Sequence, residues 1–139
     1  MKLFFILGNQ LFPIQHLNSF KNDHIFFMAE DYQLCTYEKH HKLKILLFLS
    51  AMRSHADHLK KNKFKVEYTK IDSSDFKKDY LEKAKKIIKS KKIKEITSFE
   101  IEDKFFEKKF QNFVKKNDLI WNKIKSPMFL NSREEFNDY

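Results

Sequence analysis

The run His24-Ile25-Phe26-Phe27-Met28-Ala29, closed by Glu30, decides the fold. It shows no alternation of apolar and polar side chains. That predicts a strand covered on both faces, as in a parallel sheet flanked by helices. A crossover follows it. Residues 38–62 place Ile45, Leu49, Met52, Ala56 and Leu59 at steps of four and three, one face of a long helix. Lys60, Lys61 and Lys63 put positive charge at its end, where the helix dipole favours it. Residues 65–71 alternate around Val66 and Tyr68 and predict the next strand.

The same alternation runs to both termini. Residues 2–7 form a short apolar strand that stops at Gly8-Asn9-Gln10, where Gly8 permits a sharp turn. Residues 12–20 read as a loop with a turn of helix. Ser73-Ser74-Asp75 supplies an N-cap for a helix over 75–90, with Phe76, Tyr80, Ala84, Ile87 and Ile88 on one face. A strand over 94–99, a helix over 103–116 and a strand over 119–124 follow, with Phe106, Phe110, Phe113, Val114 and Trp121 inward. Ser132 caps a last short helix through Phe136. The expected fold is α/β, a Rossmann-like three-layer sandwich with a mainly parallel five-stranded sheet, in one domain over residues 1–139. Both Rossmann and flavodoxin-like strand orders fit. In either, ligands sit outside the carboxyl ends of the strands. That rim is expected from Gly8-Asn9-Gln10 and from residues 30–41.

Composition excludes several chemistries. With 139 residues, 42% hydrophobic and 16% aromatic, the chain can bury a core without staples. Its single glycine rules out a GxGxxG turn and a P-loop. Its single cysteine, Cys35, rules out a disulfide framework, a cysteine-rich zinc site and a self-contained iron–sulfur site. A reduced, cytoplasmic setting is expected. The apolar N-terminal run is too short for a signal segment and lacks a cleavage site. The net charge of +9 favours anionic partners at long range, but only Arg53 and Arg133 are arginines, so bidentate phosphate or base recognition is poorly served.

The segment Tyr37-Glu38-Lys39-His40-His41-Lys42-Leu43-Lys44 lies at a helix start on the expected rim. Adjacent histidines on a helix point about 100° apart, so His40 and His41 do not share a metal ion. On spacing alone the cluster reads first as a solvated basic helix start, and it also suits an anionic or polar heteroaromatic ligand. His55, Asp57 and His58 read as surface positions, and no metal site is expected.

Taken in order, Leu7-Gly8-Asn9-Gln10-Leu11 with Pro13, the strand-ending Glu30, Tyr37, His40-His41-Lys42-Leu43-Lys44-Ile45, Ser50-Ala51-Met52-Arg53 and Phe129-Leu130-Asn131-Ser132-Arg133-Glu134-Glu135-Phe136 resemble one family along the whole chain. The chain is similar to the N-terminal domain of the deoxyribodipyrimidine photolyase-related proteins, the bacterial iron–sulfur cryptochromes and (6-4) photolyases. Asn9 stands where the family has Asp, and Leu34 stands where it often has Glu three residues before the Tyr.

The resemblance implies an antenna-type domain. Its chromophore would be 6,7-dimethyl-8-ribityllumazine, held at the carboxyl rim by Gly8, Asn9, Gln10, Glu30, Tyr37, His40 and His41. Asn9 and Gln10 would bond the ring edge, Tyr37 would stack over it and Glu30 would accept from the ribityl hydroxyls. It further implies an FAD- and iron–sulfur-binding helical C-terminal domain, absent from these residues and carried on the same or a separate chain. Damaged DNA would be engaged only through that domain, for light-driven repair or photoreception, and this chain would not be catalytic alone. Two other readings fit the composition. One is a stand-alone small α/β nucleotide- or cofactor-binding module. The other is a basic nucleic-acid-binding module, which would show a steep salt dependence.

Overall fold

A computed structural model of the chain describes residues 1–36 and 39–128. Its five strands are β1 (Lys2–Phe5), β2 (His24–Ala29), β3 (Val66–Thr69), β4 (Glu95–Phe99) and β5 (Ile120–Ile124). Its helices are α1 (Tyr32–Thr36), α2 (Lys42–Lys61), α3 (Tyr80–Ser90) and α4 (Lys104–Lys116), with 3-10 turns at Ile14–His16 and Asn18–Phe20. Every strand pair is parallel. The strand order is β3-β2-β1-β4-β5, the Rossmann order rather than the flavodoxin one, so the order reverses between β1 and β4.

Alternate residues of β1 divide the core. Leu3 and Phe5 face α3 and α4, together with Ile25, Phe27 and Ile96. Phe4 and Ile6 face α2, together with Phe26, Met28 and Leu17 from between the 3-10 turns. All six residues of β2 are buried, as an uninterrupted apolar strand requires. On the first face Phe110 lies 4.9 Å from Phe5 and 4.7 Å from Trp121, ring centre to ring centre. On the second Phe4 meets Phe20, Phe26 and Phe99 at 5.2, 5.3 and 5.4 Å.

Helices α2, α3 and α4 end in the same way. Lys63, Lys92 and Asp118 take left-handed backbone at φ 63°, 52° and 53°. The next amide in each case bonds back into the helix, Phe64 to Leu59 at 3.0 Å, Ile93 to Ile88 at 2.9 Å and Leu119 to Val114 at 3.1 Å. These are Schellman corners, each formed without the usual glycine. Each seats an apolar residue in a core cluster just before the next strand begins.

Three expectations are corrected. Helix α3 begins at Tyr80, not at residue 75. The Ser73 hydroxyl does accept from the Asp75 amide, but within a turn, and the Asp79 carboxylate is the helix cap. Phe76 is drawn off the helical face onto Tyr32, at a ring separation of 5.4 Å. Helix α2 begins at Lys42 rather than 38, capped by the His41 ring, so neither histidine lies within a helix. The short α1 carries no periodic signal and was not foreseen. Tyr37 and the expected helix at Ser132–Phe136 lie outside the described residues.

Asp23, His24 and Thr97 line up as an acid–imidazole–hydroxyl chain, with contacts of 2.7 and 2.8 Å. His24 and Thr97 are buried at 3% and 2% exposure. The chain joins β2 to β4 across β1, satisfying polar groups inside the core.

Candidate functional site: a cleft at the switch point

After β1 the chain turns at Leu7–Gln10, closed by a hydrogen bond from the Gln10 amide to the Leu7 carbonyl at 2.9 Å. Gly8 lies in this turn but does not have a left-handed φ. Its requirement is space. A Cβ there would sit 2.5 and 2.7 Å from the Phe48 ring and 3.2 Å from the Met52 sulfur. The expectation that Gly8 serves the sharpness of the turn is therefore replaced by a close approach of α2 to the end of β1. Gly8→Ala is expected to displace the Phe48 ring, at a cost of about 1–2 kcal/mol. Chemical denaturation would measure that loss, and an unchanged midpoint would show that the ring moves freely.

The two amides of the turn tie β1 to β4. Gln10 Nε2 donates to the Glu100 carbonyl at 2.8 Å and approaches both Glu102 oxygens at 3.4 Å. Asn9 Nδ2 donates to Glu102 at 3.3 Å. Gln10 is 1% exposed, and its Oε1 has no partner.

At the end of β2, Glu30 is fully buried. Its carboxylate accepts four hydrogen bonds: Arg53 Nε at 2.6 Å, Arg53 Nη2 at 3.0 Å, the Tyr68 hydroxyl at 2.8 Å and the Ile71 amide at 2.6 Å. A carboxylate offers about four acceptor positions, so this one is saturated. Burial works to raise its pKa, but the bonds from Arg53, Tyr68 and Ile71 outweigh burial and hold it below the ordinary value. The Glu30 carbonyl accepts from Lys83 Nζ of α3 at 3.0 Å. Glu30 thus knots β2, β3, α2 and α3 together, and its carboxylate has no position left for a ribityl hydroxyl.

Above the sheet's carboxyl edge lies a cleft of about 590 Å³, between α2 on one side and α3 and α4 on the other. Leu7, Ile45, Phe48, Met52 and Phe106 make its walls apolar, and Asn9, His40 and Lys44 bring polar groups to its lining. The volume and lining suit a small organic ligand. Of the residues expected to bind, Gly8, Asn9 and His40 line the cleft. Gln10 faces β4, Glu30 faces the Arg53 knot and His41 accepts from the Leu43 amide at 3.1 Å. Cys35 also lines the cleft; burial first, then the charges of Asp31 and Glu30, push its thiol pKa up, which keeps it from being a ready nucleophile. Among the described residues no three His, Cys, Asp or Glu side chains are placed to hold a metal ion.

The family model described as deoxyribodipyrimidine photo-lyase-related protein matches residues 4–139. The chain belongs to that family. A curated relative, a (6-4) photolyase of Agrobacterium fabrum, is 38% identical to this photolyase-related chain over 76 residues. The match covers 53% of this chain and 15% of that protein.

Several residues of the cleft were missed. Asp31, Tyr80, Glu102 and Asp103 all line the cleft. Glu102 and Asp103 come within four residues of the end of β4, and they share a cleft with Gly8 because β4 pairs with β1, which the sequence leaves open. Tyr80 read as a core residue; nothing in the sequence marks its hydroxyl. No helix among the described residues is long and apolar enough to cross a membrane.

Proposed function

We propose that this chain is the antenna-type N-terminal unit of a photolyase-related flavoprotein. Its cleft holds a ribityl-lumazine chromophore such as 6,7-dimethyl-8-ribityllumazine, and it packs on an FAD-binding domain through which damaged DNA is engaged. The observation that carries the reading is the cleft of about 590 Å³ at the β1/β4 switch point of a chain in this family. When bound, the chromophore absorbs light and passes the excitation to a flavin elsewhere. The chain's own residues bind and orient it. Phe48 and Phe106 offer ring faces and edges, and Asn9 and His40 offer polar contacts at the mouth. No repair step is assigned to these residues.

Packing on a further domain is supported by a ridge on α2. Leu43, Leu46 and Leu47 are 67%, 61% and 73% exposed, three apolar side chains on one helical face.

The test is a fluorescence titration of the purified chain with 6,7-dimethyl-8-ribityllumazine. Saturable binding with a Kd of order 10 µM is expected. Free lumazine fluorescence and anisotropy that stay unchanged up to tenfold above that concentration would sink the antenna reading.

A further inference from the structure

Building on the antenna reading, we infer that the cleft selects an uncharged heteroaromatic ligand with a ring carbonyl anchored by the Tyr80 hydroxyl, and rejects its phosphorylated counterpart. Tyr80 opens α3, is 6% exposed and lines the cleft. Its ring is fixed edge-on against Phe27 and Phe106 at 5.4 and 5.8 Å. Its buried hydroxyl has no hydrogen-bond partner. Buried hydroxyls are rarely left unpaired, and in a residue that lines the cleft this one is the donor assigned to a ring carbonyl that enters it. Burial, reinforced by the Asp31 charge, pushes the phenol pKa up, so the group stays a donor throughout the physiological range.

The charges around the cleft exclude phosphate. Asp31, Glu102 and Asp103 line it, against Lys44 and His40 from the α2 side. The N-termini of α3 and α4, which would otherwise attract an anion, are filled by the carboxylates of Asp79 and Asp103. The Gln10 amide donors are given to the Glu100 carbonyl and to Glu102, and one N–H of Asn9 also goes to Glu102. The chain's net +9 draws anions toward the surface at long range, but at contact distance the local carboxylates decide. Carboxylates accept hydrogen bonds from sugar-alcohol hydroxyls, so a polyhydroxyl tail is tolerated where a phosphate is not.

Riboflavin and FMN carry the same ring and differ by one phosphate, which makes them the probes, beside 6,7-dimethyl-8-ribityllumazine. On the full chain at low salt, riboflavin and the lumazine are expected to bind and FMN at least tenfold more weakly. The gap should narrow in high salt and in Glu102→Gln. Tyr80→Phe should bind riboflavin and the lumazine roughly five- to tenfold more weakly, with a melting temperature equal to or above the wild type. FMN binding as tightly as riboflavin, or undiminished affinity in a folded Tyr80→Phe, overturns this inference and leaves the antenna reading standing. Binding of none of the three compounds overturns both.

Discussion

Glu30→Ala is expected to lower stability by about 3–4 kcal/mol, roughly ten degrees or more in melting temperature. The substitution removes a fully buried carboxylate and strands three donors from separate elements: Arg53, Tyr68 and the Ile71 amide. The Arg53 side chain is 43% exposed and recovers water, which keeps the cost at the low end of the range for broken buried ion pairs. Tyr68 and Ile71 have less recourse. Urea denaturation with an unchanged slope would measure the loss. Glu30→Gln keeps the volume but only about two of the four acceptor positions, and turns a donor NH2 toward the groups that bonded the other oxygen. It should also change the acid limb. The folded pKa of Glu30 is depressed, so the stability it contributes is complete above the unfolded carboxylate value of about 4.3 and disappears as pH falls through the folded value. The deficit of Glu30→Gln against wild type should therefore be largest near neutrality and shrink in acid. A deficit independent of pH would show that the carboxylate's charge contributes nothing.

Phe110→Ala is the second large effect, at about 4 kcal/mol. Phe110 is fully buried between the sheet and α4, with Phe5, Trp121 and Phe113 rings around it at 4.9, 4.7 and 6.4 Å. A cavity there opens among rigid aromatic rings that have little freedom to collapse into it. Phe105, on the opposite face of the same helix and 90% exposed, is the control, and Phe105→Ala should stay within about 0.5 kcal/mol of wild type. A Phe110→Ala loss under about 2 kcal/mol would show that the surrounding rings refill the space.

Much of the fold was legible because its signals are local. Strand β2 appears with the bounds its apolar run predicts, and α4 within one residue, because Asp103 caps it and Lys115 and Lys116 close it. The start of α3 was misplaced because three capping side chains, Ser73, Asp75 and Asp79, compete within seven residues, and only the fold decides among them. The rim location followed from the alternation of strands and helices, which implies a parallel sheet whose carboxyl ends share one edge. The individual roles on it did not. Glu30 takes its role from Arg53, Tyr68 and Ile71, which are 23, 38 and 41 residues away in the chain. A buried carboxylate that serves the fold and an exposed one that serves a ligand look the same in one dimension. Gly8 was singled out for its turn, whereas what requires it, the Phe48 ring, lies on another element.

The pairing of β1 with β4 has a consequence for how the cleft is made. Asn9 and Glu102, whose side chains join the two lips of the cleft, are 93 residues apart in the chain. Joining them closes a loop that contains β2, β3 and α2, one of the less local contacts in the fold. A chain in which β1 and β4 are unpaired lacks the cleft between these lips. Any cleft ligand acts on the whole native state, adding about 2.7 kcal/mol to global stability when present at a hundred times its Kd. Its footprint in hydrogen exchange extends over the sheet, far beyond the residues it touches.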